Sequence, residues 1–309
     1  MDPEIDFGVI LSTYGEHSDP AGFERIARTA ESKAFDVVSV SDHIALPATI
    51  PDTYPFSPSG EFPFDSSDDL YELFSVLSML AGMTDDVTLM SNVCIVPYRH
   101  PVLLTKQALT LDALSAGRFE LGVATGWLET EFEVLDVPFD ERGSRTDEFL
   151  ELFERVCEEG ELAFDGPHHS VQETGFYPIP DPGDEIPVWV GGHSGAAFRR
   201  VAEYGRGWTI VWSRPDDIQS ARARIMNAWD DYDRQGEPEI TLMRAFQLGT
   251  GDSVDDDRLL VGDPDAVIAD IEAYVDAGVT RLMLDFYTPD TDEQCRQLQQ
   301  FGDEVIPSF

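Results

Sequence analysis

Apolar residues in this chain recur in short unbroken runs that alternate with longer segments of helical period. The run 87–96 is the clearest, bounded by an Asp pair and by Pro97, as expected of a parallel strand buried on both faces. Pro101 then opens a helical pattern that places Val102, Leu103, Ala108, Leu109, Leu111 and Leu114 on one broad apolar face, and Gly117 stops it. Residues 119–124 form the next strand. The local unit is therefore a pair of parallel strands joined by a helical crossover.

That unit repeats along the chain. Strands are expected at 5–11, 36–41, 87–96, 119–124, 187–191, 209–212, 241–248 and 281–286. Helices are expected at 20–34, 70–83, 101–116, 145–159, 196–204, 216–233, 264–277 and 292–305. Eight alternations in 309 residues predict a single-domain (β/α)8 TIM barrel over 1–309, with insertions at about 47–69 and 160–186. A doubly wound open sheet, the competing architecture, would use fewer strands.

A barrel of this kind carries its chemistry where strands end and helices begin. The first exit offers Ser12, Thr13 and Tyr14, the second Ser41, Asp42 and His43, and the third the segment from Cys94 to His100. The fourth offers Thr125, Gly126 and Trp127, the fifth Gly191, Gly192, His193 and Ser194, and the eighth Asp285 and Tyr287. Asp42 and His43 are the acid-base candidates, because an imidazole beside a carboxylate can be held near a useful pKa. A helix cap or a loop hydrogen-bond pair is the alternative use of the same residues. The turn Gly191, Gly192, His193, Ser194 follows a buried strand and opens a helix, so its backbone can approach an anion at the helix N-terminus. Glycines there also serve a tight turn for conformational reasons alone. Arg118 precedes the fourth strand, which puts it at the bottom of the barrel in a structural role. Arg99 lies on the catalytic face and could meet an anionic ligand or a surface ion pair. The histidines come from separate loops without metal-ligand spacing, so no metal site is expected.

Composition adds an environment. Sixty acidic against 20 basic side chains give a net charge of −40, and Lys33 and Lys106 are the only lysines. The acids are spread over helix faces between well-patterned apolar segments, so they do not mark a disordered tail. Such a surface repels itself unless salt screens it, which predicts the protein of a halophilic archaeon. No basic stripe exists to neutralise phosphates, so nucleic acid is excluded as a partner. Asp2, Pro3 and Glu4 follow Met1, no apolar run reaches membrane-span length, and the three cysteines lack any CxxC spacing. Together these predict a cytoplasmic protein with reduced thiols and no membrane partner.

Several segments together resemble the bacterial luciferase-like monooxygenase superfamily, in particular its branch that uses the deazaflavin coenzyme F-420. They are VSVSDHI at the second exit, SNVCIVPYRHP through the third strand, LDALSAGRFELGVATGW into the fourth, ERGSR at 141–145, and VWVGGHSGAAFRRVAEYGRGW. The resemblance implies a tricyclic ring backed by a bulge with a non-prolyl cis peptide, here between Cys94 and Ile95. It also implies that Asp42 and His43 lie near the ring's reactive edge, and that Gly191, Gly192, His193 and Ser194 hold the ribityl phosphate with Thr125 and Gly126 beside them. Trp127 stands where several deazaflavin dehydrogenases carry a glutamate, which argues against sugar-phosphate or simple alcohol oxidation. The implied activity is hydride transfer between F-420 and a small organic substrate, with His43 or Asp42 moving the proton, in a homodimer. An FMN-dependent monooxygenase using reduced flavin and oxygen is the alternative, and a non-catalytic flavin-binding barrel is an alternative of another class. The segment from Pro47 to Asp69, with Tyr54, Phe56, Phe62 and Phe64, is read either as a substrate lid or as an arm contacting a second subunit.

Overall fold

The computed structural model describes residues 5–15, 18–54, 60–249, 259–286, 288 and 290–309. Its elements run β1 (Asp6–Leu11), α1 (Pro20–Ser32), β2 (Val37–Val40), α2 (Leu73–Ala81), β3 (Thr88–Ile95), α3 (Pro101–Ser115), β4 (Phe119–Ala124), α4 (Glu129–Val134) and α5 (Arg142–Glu159). A hairpin of β5 (Glu161–Asp165) and β6 (Ser170–Gly175) follows, then β7 (Val188–Gly191), α6 (Gly195–Tyr204), β8 (Gly207–Val211) and α7 (Pro215–Asp231). The chain closes through β9 (Glu239–Leu248), β10 (Leu259–Gly262), α8 (Pro264–Asp276), β11 (Arg281–Phe286) and α9 (Thr291–Glu304).

Eight strands pair in parallel in the order β1, β2, β3, β4, β7, β8, β9, β11, and β11 pairs back to β1. The ring is closed, so this is the expected TIM barrel. β10 adds a short parallel edge to β9, and the β5–β6 hairpin stands apart as an antiparallel pair. Residues 160–186, expected as an insertion, contain that hairpin.

Inward positions alternate along each strand, and they fill the barrel in tiers. Near the bottom, the Arg281 guanidinium lies over the Trp189 ring at 4.6 Å and donates to Glu120 Oε2 at 2.5 Å and Asp6 Oδ2 at 3.0 Å. Trp189 is fully buried, which contributes roughly 4–6 kcal/mol on area alone. It fits because Gly207 stands opposite: a Cβ there would lie 2.6 Å from the indole. Ile10, Val37, Met90 and Met283 pack with it as an apolar plug. The next inward positions, at the C-terminal ends of the strands, open into a cavity.

Two readings of α3 need correction. Leu103 and Leu114 are exposed at 55% and 60%, while Pro101, Leu104 and Thr105 are buried. The helix is apolar nearly all round, so periodicity alone cannot choose its inner face. Arg118 does sit at the bottom, donating to the carbonyls of Ala81, Thr84, Val87 and Ser115 and tying the α2–β3 turn to β4.

Candidate active site

The cavity has a volume of about 970 Å³ and is walled by residues from the strand exits and by the described part of the segment after β2. Its floor is set by β3. The register between β3 and β4 shifts between Ser91 and Cys94, and the peptide bond from Asn92 to Val93 is cis. The expected cis bond between Cys94 and Ile95 is therefore misplaced by two residues. The bulge falls where β4 leaves room for it: a Cβ on Gly122 would lie 2.0 Å from the Ser91 carbonyl oxygen. Asn92 is held on both sides, its Oδ1 accepting from Thr209 Oγ1 at 3.0 Å and its carbonyl from Ser41 Oγ at 3.3 Å. Val93 lines the cavity, whereas the Cys94 side chain points away into the core and is fully buried. Burial pushes the Cys94 thiol up despite the nearby Arg99. Ile95 returns to the cavity wall, behind Gly126.

Asp42 and His43 are adjacent in sequence but serve different partners. The Asp42 carboxylate is buried and accepts two bonds from Arg99, at 2.7 and 2.8 Å, and one from the Ile95 amide at 2.8 Å. Arg99 also reaches Glu72 at 2.9 Å. Its side chain is only 6% exposed, so it forms neither a surface ion pair nor a free anion contact. Asp42 thus ties the second exit to the far side of the bulge.

His43 faces the cavity, and its carboxylate is Glu131. The imidazole Nδ1 lies 2.6 Å from Glu131 Oε2. Tyr98 Oη donates to the same oxygen at 2.8 Å, while the amides of Ile44 and Ala45 donate to Oε1 at 2.6 and 3.1 Å. Burial raises the pKa of this carboxyl, but the His43 hydrogen bond and charge and the two amides outweigh it and hold Glu131 below the usual carboxylate range. An ionised acceptor at Nδ1 selects the tautomer that carries its proton there and leaves Nε2 for another contact. Glu131 escaped the sequence reading, since its stretch ETEFEV looks like one more acidic surface. Leu128 and Phe132, both buried and four apart, are the signal that a helix packs there.

The glycine turn closes one side of the cavity. Gly191 lies where a Cβ would stand 3.4 to 3.6 Å from Val123 O, Ala124 Cβ and Val93 Cγ1, so the turn, β4 and the Val93 bulge abut. Gly192 has φ +113, which favours glycine, and its carbonyl accepts from Trp208 Nε1 at 2.8 Å. His193 packs edge-on against Trp208, and burial lowers its pKa. Ser194 caps α6, its Oγ accepting from the Ala197 amide at 3.1 Å. Thr125, Gly126 and Trp127 line the cavity beside this turn.

Opposite stands an aromatic wall. Phe64 packs on Tyr14 at 4.2 Å, Phe62 on His43 at 5.3 Å, and Tyr54 on Trp127 at 5.1 Å. Tyr54, Phe62 and Phe64 of the 47–69 segment therefore line the cavity; Phe56 lies outside the described residues, as does Tyr287. Tyr14 is pushed up to about 12 by burial and by the Asp285 charge, against a hydrogen bond with Ser41.

The cavity is large enough for a tricyclic ring, and the space beside Gly191 and over Val93 is of the kind a side chain would fill. The residues present fit a flavin-like group. The sequence model described as luciferase-like monooxygenase matches residues 5–253. The chain belongs to the luciferase-like monooxygenase family. It is an oxidoreductase of that family. An uncharacterized protein of Mycobacterium tuberculosis is 29% identical over 289 residues, covering 91% of this chain and 93% of its own length. An F-420-dependent glucose-6-phosphate dehydrogenase of Intrasporangium calvum is 25% identical over 332 residues, covering 91% of this chain and 92% of its own. Among solved structures, the coenzyme F-420 dependent tetrahydromethanopterin reductase from Methanopyrus kandleri has the same fold, with a TM-score of 0.79 at 19% identity over 99% of both chains.

Proposed function

We propose that the protein is an F-420-dependent oxidoreductase acting on a small organic substrate, with His43 as the proton-transfer residue. The observation that carries this reading is the His43–Glu131 pair at the cavity wall, 2.6 Å apart, where Glu131 orients the imidazole. A bound deazaflavin supplies hydride transfer at its C5 position, and the protein supplies orientation and electrostatics. Val93 and Ile95 would back the ring, Thr125, Gly126 and Trp127 would flank it, and the turn at Gly191, Gly192, His193 and Ser194 would meet the phosphate through backbone amides. Cys94 and Asp42 support that arrangement from behind, Asp42 through Arg99 and the Ile95 amide. The 25% identity to an F-420-dependent dehydrogenase across 91% of the chain favours deazaflavin over FMN.

The same reading includes a halophile's cytoplasm, supported by the net charge of −40 and by three free cysteines, and a homodimer, which follows from the family resemblance. Among the described residues no helix is long and apolar enough to cross a membrane. Titrating the purified protein at high salt with F-420 and with FMN, followed by ring fluorescence, tests the cofactor. Saturable F-420 binding is expected; binding of FMN alone would reverse the assignment to an oxygen-activating monooxygenase. His43→Ala should bind F-420 as the parent does and turn over about a hundredfold more slowly.

A further inference from the structure

The proposed chemistry leaves one cavity group without a task. Asp285 continues the inward series Arg281, Met283 on β11 and emerges at the C-terminal end, level with Ile10 of β1 and Ala245 of β9. It lines the cavity, yet its carboxylate makes no hydrogen bond or ion pair to any described residue. The other carboxylates in the described lining differ in this respect. Asp42 is neutralised by Arg99, Asp19 accepts from the Ala21 and Gly22 amides, and Asp68 accepts from the Asp65 amide; Glu61 is also engaged.

Two further observations point the same way. Among the described residues the cavity wall includes no lysine or arginine, and its basic side chains are the imidazoles of His43 and His193, which belong to the strand exits on other walls than β11. Asp285 lines the same cavity as Tyr14, Tyr54, Phe62, Phe64 and Trp127, whose rings touch one another in the aromatic wall, and burial, with a smaller part from the Asp285 charge, raises both tyrosines. A carboxylate sharing a cavity with a wall of aromatic rings is the arrangement that recognises an organic ammonium, through charge and through the ring quadrupoles.

We propose that this half of the cavity selects substrates carrying a protonated amine, with Asp285 as the anchoring carboxylate and Tyr14, Tyr54 and Trp127 as the aromatic cage. The inference rests on the proposed reading for the reaction but not for its test, which needs no cofactor. Desolvation by the cavity wall raises Asp285 to about 6, so the anchor is charged at neutral pH and lost on acidification. An anionic group brought beside Asp285 would be repelled by it.

The experiment is a calorimetric titration of the cofactor-free protein, at one fixed high salt concentration, with three probes of similar size: benzylamine, benzyl alcohol and benzoate. Benzylamine should bind at neutral pH about tenfold more tightly than benzyl alcohol, with benzoate weaker than both. Asp285→Asn should remove the preference for the amine and leave benzyl alcohol unchanged, and lowering the pH through about 6 should weaken benzylamine in the parent only. Benzoate binding as tightly as benzylamine, no benzylamine binding at all, or an amine preference that survives Asp285→Asn would each overturn the proposal. The comparison of probes on the parent protein stands even if the variant fails to fold. Failure of F-420 binding would leave these outcomes untouched.

Discussion

His43 and Glu131 are 88 positions apart in sequence and 2.6 Å apart in space, whereas His43 and its neighbour Asp42 point to different partners. The pair joins the exit of β2 to the short helix α4, and it brings a buried carboxylate to the one described histidine held in this way beside the cavity.

Removing that carboxylate should cost both stability and the orientation of His43. Glu131→Ala would leave the Ile44 and Ala45 amides, the Tyr98 hydroxyl and the imidazole without their acceptor. The expected loss is about 3–5 kcal/mol in urea unfolding, with Glu131→Gln costing less because it keeps an acceptor oxygen. The pH dependence follows from the sign of the shift. Glu131 is held below the ordinary carboxylate range, so its stabilisation is complete above the unfolded value of about 4.3 and is lost as pH falls through the lower folded value. The parent should therefore lose stability on acidification over that window more steeply than Glu131→Gln.

Arg99 should behave as a structural cation. Arg99→Met strands the buried Asp42 carboxylate, at an expected cost of about 3–5 kcal/mol. Adding Asp42→Asn should recover part of that loss. A double-mutant cycle by urea denaturation measures the coupling, and additive losses would contradict the pairing.

Gly122→Ala tests the bulge. The added methyl would lie 2.0 Å from the Ser91 carbonyl, a backbone atom that cannot swing aside. A loss near the upper end of the 1–3 kcal/mol range for overpacking is expected, together with loss of F-420 binding. Gly195→Ala, where a Cβ meets nothing within 4 Å, should leave both unchanged.

A net charge of −40 makes salt a stabiliser. The thermal midpoint should rise steadily as KCl is raised from tenths molar to molar concentrations, as the Debye length shrinks from about 10 to 3 Å. A flat midpoint over that range would remove the halophilic reading.

The barrel was legible because strands buried on both faces show as apolar runs, which β3 and β11 do plainly. The exits also named part of the cavity lining, including Asp285 and Trp127. What escaped depends on contacts between segments. The bulge at Asn92 and Val93 is positioned by Gly122 on the next strand, which no pattern within β3 contains. Asp42 and His43 look like a pair in sequence, but successive residues leaving a strand point to opposite sides. Glu131 was hidden because one buried acid looks like any other in a chain with sixty of them.

The central claim is that the space between the Val93 bulge and the glycine turn holds a deazaflavin ring within reach of His43. A crystal structure of the protein with F-420 tests it most directly. The account predicts ring density inside the cavity, against Val93, with the phosphate at Gly191 and Gly192; density outside the cavity, or a ring separated from His43 by the aromatic wall, would contradict it.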